Sequence, residues 1–250
     1  MRKILVAGNW KMYKTTADAV AFAEEFKTIV ANTDTENEVA ICAPYTQLEA
    51  LKKAFEGSKV MLGAQNMHFE EEGAYTGEIS PAMLAEIGVD FCVLGHSERR
   101  QYFAETDEII NKKLHTAIKH DITPILCVGE VLEEREAGKE REIVGAQIQK
   151  CLSGVEDIAV SEMVVAYEPV WAIGTGKTAT SEQAEEMCAF IRSEIKNLYD
   201  DFTASKVRIQ YGGSVKPENA AEILNMENID GALVGGASLI PDKFIEIVKG

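Results

Sequence analysis

Met163-Val164-Val165-Ala166-Tyr167-Glu168-Pro169-Val170-Trp171-Ala172-Ile173-Gly174-Thr175-Gly176-Lys177-Thr178-Ala179 reads as one strand, its exit and the approach to a helix. The first five residues are apolar without alternation, the pattern of a strand buried on both faces. Glu168 stands just past the strand, and Pro169 stiffens the exit. A short apolar tip and a glycine-rich stretch follow. Ser181 to Tyr199 is then a helical pattern, with Ala184, Met187, Cys188, Ile191, Ile195 and Leu198 on one face. A carboxylate on a rigid strand end, beside a loop with its own apolar tip, suits an active site with a movable lid.

Two other readings of the glycines fail on particular residues. Gly176-Lys177-Thr178 resembles the end of a phosphate-binding P-loop. That motif needs a glycine five positions before Gly176, where Trp171 stands. Gly174-x-Gly176-x-x-Ala179 fits a relaxed dinucleotide fingerprint, whose acidic partner about 20 residues on would be Glu194. Glu194 falls in the middle of the helical pattern, not at the tip of a second strand.

The same unit recurs outward from this stretch in both directions. Short apolar runs lie at Ile4–Ala7, Val39–Ala43, Val60–Ala64, Phe91–Leu94, Ile125–Val128, Met163–Tyr167, Val207–Tyr211 and Ala232–Val234. Between them lie helical signals. Val20, Ala23, Phe26, Ile29 and Val30 form one stripe, and Ile110, Leu114, Ala117 and Ile118 another. Ser80-Pro81 is an N-cap with proline at the first helical position. Lys216-Pro217-Glu218 and Ile240-Pro241-Asp242 open the last two helices. Doubly buried strands alternating with helices make an α/β protein with an all-parallel sheet. Eight units in 250 residues predict a closed (β/α)8 barrel, a parallel eight-stranded sheet, over residues 1–250 as one domain. An open doubly wound sheet would place its phosphate glycines after the first strand. Here they cluster after the last ones.

Composition narrows the function. Hydrophobic residues make up 46% of the chain, enough for a large core without disulfides. The net charge of −16 argues against nucleic acid or an anionic membrane surface as a partner. It also repels an anionic substrate unless the site is locally positive. Cys42, Cys92, Cys127, Cys151 and Cys188 are odd in number, widely spaced and without a C-x-x-C pair, which speaks against disulfides or zinc. The N-terminal apolar run is too short for a signal peptide, and no segment reaches membrane-spanning length. A soluble, reduced, cytoplasmic protein is expected.

Barrel enzymes carry their active sites at the C-terminal ends of the strands. Asn9 and Lys11 follow the first run, His96 and Glu98 the fourth and Glu168 the sixth. Gly212-Gly213-Ser214 follows the seventh and Gly235-Gly236 the eighth. Paired glycines at two adjacent strand ends, each before a helix, predict a phosphate site. His68, His115 and His120 read as ordinary surface or core residues, and His120 near a helix end suits the dipole.

At these residues the whole chain resembles the triosephosphate isomerases. The resemblance is carried by Gly8-Asn9-Trp10-Lys11-Met12, Gly95-His96-Ser97-Glu98-Arg99, the Tyr167–Ala179 loop, Tyr211-Gly212-Gly213-Ser214 and Gly231-Ala232-Leu233-Val234-Gly235-Gly236-Ala237. Tyr13 is a small departure, standing where the family often has asparagine. The resemblance implies a TIM barrel that interconverts dihydroxyacetone phosphate and D-glyceraldehyde 3-phosphate, in glycolysis and gluconeogenesis. It implies Glu168 as general base, His96 as a neutral electrophile and Lys11 as the fixed positive charge, held by Asn9 and Glu98. A helix N-terminus just after His96 would disfavour its protonation. This family is itself the usual illustration of such a pair and of a closing loop. The lid would be Pro169–Ala179, bringing the Gly174 N–H to the phosphate beside Ser214, Gly235 and Gly236, with Asn9 and Lys11 also touching substrate. No metal or organic cofactor is required. The long segment Gln65–Glu78 would insert into a second copy, making a homodimer with Thr76, Glu78 and Arg99 at the contact. The rivals are a nucleotide-dependent enzyme and a non-catalytic phosphate-binding barrel.

Overall fold

The computed structural model describes residues 2–175 and 178–250. Met1, Gly176 and Lys177 therefore lie outside the described residues, and with them part of the P-loop-like stretch and of the expected lid.

In chain order the elements are β1 (Leu5–Asn9), α1 (Thr16–Ala31), β2 (Glu38–Ala43), α2 (Tyr45–Ala54), β3 (Val60–Ala64), α3 (Pro81–Ile87), β4 (Phe91–Leu94), α4 (Ser97–Phe103), α5 (Asp107–Lys119) and β5 (Thr123–Val128). Then come α6 (Leu132–Glu136), α7 (Glu140–Cys151), α8 (Asp157–Glu162), β6 (Val164–Tyr167), α9 (Ser181–Leu198), α10 (Asp201–Lys206), β7 (Arg208–Tyr211), α11 (Pro217–Leu224), β8 (Gly231–Val234) and α12 (Pro241–Lys249). Short 3-10 turns follow β6 at Val170–Ala172 and β8 at Gly236–Leu239. The strands pair in sequence order and in parallel, and β8 returns to β1, closing the barrel.

Two apolar layers hold it together. Leu5, Ala7, Ala40, Cys42, Val93, Ile125, Cys127, Val164, Ala166 and Leu233 fill the barrel's interior. The alternate residues, among them Val6, Ile41, Leu94, Leu126 and Val165, pack outward with helix residues such as Phe26, Leu48, Leu114, Ile148 and Ile191. This two-sided burial explains why the strands read as continuous apolar runs. Each fully buried aliphatic side chain contributes roughly 1.5–3 kcal/mol.

The helix starts follow their caps. The Ser80 hydroxyl accepts the Met83 N–H at 3.3 Å, and Asn219 closes back on the Lys216 N–H at 2.8 Å. His120 is the C-cap of α5, paired with Glu71 at 2.6 Å. Glu194 lies inside α9, which removes the dinucleotide reading. All five cysteines are buried and free.

Several boundaries depart from the apolar runs. β1 ends at Asn9, which still pairs with Cys42, so Asn9 is the last strand residue and does not follow the strand. Backbone pairing continues through Gly8 and Asn9 because it does not depend on side-chain polarity. In α5 the apolar stripe also includes buried Lys113, tied to Glu105 at 2.5 Å and Asn66 at 2.8 Å.

Candidate active site

A cavity of about 710 Å³ opens at the C-terminal ends of the strands. Asn9, Lys11, His96, Glu168, Gly174, Ser214, Gly235 and Gly236 all line it. It gathers predicted residues from five strand exits, β1, β4, β6, β7 and β8.

Glu168 leaves β6 in ladder geometry, its N–H donating to the Val128 carbonyl at 2.7 Å. Gly129 makes room for that path: a Cβ there would lie 1.7 Å from the Glu168 carbonyl oxygen. The Glu168 side chain is 2% exposed and fully engaged. The Ser97 N–H donates to Oε2 at 2.8 Å, and His96 Nε2 lies 2.9 Å from Oε1. The Ser97 hydroxyl is 3.4 Å from Oε1. Burial opposes ionisation of Glu168, but His96, the Ser97 N–H and the Lys11 charge outweigh it and hold the carboxyl below its ordinary value.

His96 is the N-cap of α4, as expected, and its Nδ1 accepts the Glu98 N–H at 3.2 Å. A ring that accepts at Nδ1 and donates from Nε2 is the neutral tautomer. Burial is the largest single influence and pushes the imidazole down, but the charge and hydrogen bond of Glu168 and the charge of Glu98 together push it up by more. The resultant lies above the ordinary value, opposite to the expectation drawn from the helix N-terminus alone. The reason is Glu168 itself, resting on Nε2.

Lys11 adopts a left-handed backbone, φ 52°. Its N–H donates to Asn9 Oδ1 at 3.0 Å, and its ammonium meets Glu98 Oε1 at 2.6 Å. The glycine exits lie on the other side of the cavity. Gly213 is obligatory, because a Cβ would lie 2.1 Å from the Tyr211 hydroxyl oxygen. α11 begins three residues after Ser214, whereas a 3-10 turn and not an α-helix follows Gly235. Gly174 sits at φ 69° on the tip of the segment after β6. Lys216 and Lys243, not predicted, stand exposed at the mouth.

The expected subunit contacts lie elsewhere. Thr76 and Glu78 are exposed on the irregular segment before α3. Arg99 is paired with Glu105 at 2.6 Å and covers the Phe103 ring at 4.7 Å.

Sequence reasoning missed Ser97, Gln65, Gly129 and Glu130. Buried Glu130 accepts the Tyr167 hydroxyl at 3.0 Å and the Trp171 indole N–H at 2.7 Å, fixing the start of the segment after Glu168. Only Ser97 had a local signal, its place between His96 and Glu98. The other three act through segments distant in sequence.

A family model of the triosephosphate isomerases matches residues 4–250. The chain is 55% identical over 249 residues to "Triosephosphate isomerase" of Alkaliphilus metalliredigens (strain QYMF), covering 100% of both chains. It is 56% identical over 248 residues to that of Acetivibrio thermocellus, covering 99% of this chain and 98% of the relative. The protein of the same name from Carboxydothermus hydrogenoformans is 55% identical over 251 residues. The closed parallel barrel, a carboxylate–imidazole pair set against glycine-rich strand exits, and full-length relatives agree: the chain belongs to the triosephosphate isomerase family.

Proposed function

We propose that Glu168, His96 and Lys11 carry out the reaction of this family, the interconversion of dihydroxyacetone phosphate and D-glyceraldehyde 3-phosphate. The observation that carries this reading is the Glu168–His96 pair at 2.9 Å, lining one cavity with Lys11 and the glycine exits.

Glu168 takes a proton from the carbon next to the carbonyl and later returns one to the neighbouring carbon. The enediolate formed between these steps carries charge on oxygen. His96 Nε2–H donates to those oxygens and moves a proton between them, while the Lys11 ammonium stabilises the charge. The two transfers cancel, so the reaction needs no metal or organic cofactor. N–H groups of Ser214, Gly235 and Gly236 hold the phosphate, and Lys11, with Lys216 and Lys243 at the mouth, supplies positive charge within a chain of net charge −16. Both Glu168 oxygens are engaged in the present arrangement, so substrate must draw the carboxylate away from Ser97. Pro169–Ala179 acts as the lid and supplies the Gly174 N–H. The 250 residues work as one domain, in the cytoplasm and without a nucleic-acid or membrane partner. A homodimer forms through Thr76, Glu78 and Arg99. Met12, Tyr75, Tyr102 and Phe103 are exposed, which leaves apolar surface for a second copy to cover.

The test is conversion of glyceraldehyde 3-phosphate to dihydroxyacetone phosphate, followed through a coupled NADH-consuming enzyme. Glu168→Gln should lower kcat by about 10²–10⁴-fold, the range for loss of a general base. Folded wild-type protein without activity would overturn the reaction. An unimpaired Glu168→Gln variant would overturn the base.

A further inference from the structure

The segment between β1 and α1 contains two lysines in left-handed conformation, Lys11 at φ 52° and Lys14 at φ 67°. Residues other than glycine stay in this region only where their surroundings enforce it. Two glutamines supply the enforcement, Gln65 just past β3 and Gln47 in the first turn of α2. Gln65 Nε2 donates to the Lys11 carbonyl at 3.0 Å and to the Cys42 carbonyl at 2.9 Å. Buried Gln47 does the same farther along, donating to Tyr13 at 3.1 Å and Lys14 at 2.6 Å. Each amide spends both hydrogens on main-chain carbonyls.

The Lys11 peptide is thus held from both sides, its N–H by Asn9 and its C=O by Gln65. Gln65 is itself seated firmly. Its neighbour Asn66 is buried and accepts from Lys113 at 2.8 Å, which is paired with Glu105 at 2.5 Å. We infer that Gln65 is a positioning residue for the isomerase reaction: its amide bridges β1 and β2 exits and fixes the Lys11 main chain so that the ammonium faces substrate. This rests on the reading that Lys11 meets the substrate. A carboxylate at position 65 would turn acceptor lone pairs toward two carbonyls, and an apolar side chain would take the donor from the Lys11 carbonyl, while Cys42 would keep the Trp10 N–H at 3.0 Å. Gln65 also begins the segment that carries Tyr75 and Thr76, so the seating of that segment reaches Lys11 through one side chain.

The experiment is a double-mutant cycle on wild type, Gln65→Met, Lys11→Met and the double variant. The readout is binding of 2-phosphoglycolate, whose phosphate and carboxylate imitate the charge of the enediolate, by ³¹P NMR titration. Gln65→Met should weaken binding about tenfold, the effect of an unpaired main-chain acceptor. In the Lys11→Met background the same change should alter binding by less than about twofold, because residues acting through one another are not additive. An equal loss in both backgrounds would overturn the positioning role and leave the Lys11 reading intact. Wild-type binding by Gln65→Met would overturn it too. Wild-type binding by Lys11→Met would instead sink the Lys11 reading, and this inference with it. Circular dichroism checks folding, and Gln65→Glu takes the place of Gln65→Met in the cycle should the latter not fold.

Discussion

Glu168 and His96 each perturb the other, and the perturbation should vanish when they part. The carboxylate raises the imidazole above its ordinary value of 6.5, against the downward effect of burial. Glu168→Gln removes that charge and leaves burial and the Glu98 N–H on Nδ1, which favour the neutral ring, against only the smaller upward pull of the Glu98 carboxylate. His96 should therefore titrate lower in Glu168→Gln than in wild type, as ¹⁵N NMR of the imidazole will read. A group raised in the folded state stabilises fully below its unfolded value and loses that contribution as pH rises through its folded value. Wild-type Tm should accordingly fall relative to Glu168→Gln as pH rises from about 6.5. An unchanged His96 titration would mean that Glu168 is not the cause. Glu168, His96 and Lys11 were legible in the sequence because they are polar residues ending apolar runs. Their convergence on one cavity follows from barrel closure, which eight runs of the right length imply. Gln65 and Gly129 were illegible, since neither a turn glycine nor a loop glutamine shows in sequence which distant carbonyl it will face.

At the scale of elements, the segment after β6 is stiff at its start and spare at its tip. The Val170 N–H donates to the Glu130 carbonyl at 3.1 Å, and Trp171 is tied to the Glu130 carboxylate. Gly174, by contrast, has nothing among the described residues within 4 Å of where a Cβ would stand. If Pro169–Ala179 is the lid proposed above, this anchoring leaves β6 undisturbed when it closes. Shortening the tip should leave the fold and the circular dichroism spectrum intact. It should also let the enediolate lose phosphate to water, releasing methylglyoxal that a colorimetric assay detects. Clean isomerisation by the shortened variant would remove the lid's protective role. The element pattern was legible from end to end, but its edges were not. β1 runs on through polar Asn9, and β5 begins at Thr123, two residues before the apolar run. Ladder bonds are made by the backbone, so a strand stops where its neighbour leaves and not where the side chains turn polar.

At the scale of the molecule, the proposed homodimer would cover some of the exposed apolar side chains. Met12 is 94% exposed, Tyr102 74% and Phe103 63%. Sedimentation velocity at micromolar concentration should find a dimer. Phe103→Glu, which sets a charge in place of an exposed aromatic that the proposed dimer would cover, should weaken association by about 2 kcal/mol or more, roughly 30-fold. A wild-type monomer would refute the assembly. The buried thiols lead to a different kind of observation. Burial pushes Cys42 and Cys151 up to about 12 and raises Cys92, Cys127 and Cys188 as well. At neutral pH the folded chain offers almost no thiolate to an alkylating reagent. Three of these sulfurs sit on β2, β4 and β5, and two on the surrounding helices α7 and α9. The molecule therefore carries its own clock for coming apart, with separate hands for wall and shell. Pulsed alkylation in mild denaturant, read by mass spectrometry, should mark Cys151 and Cys188 first if the shell loosens before the wall. Five equal rates would mean that the barrel opens all at once.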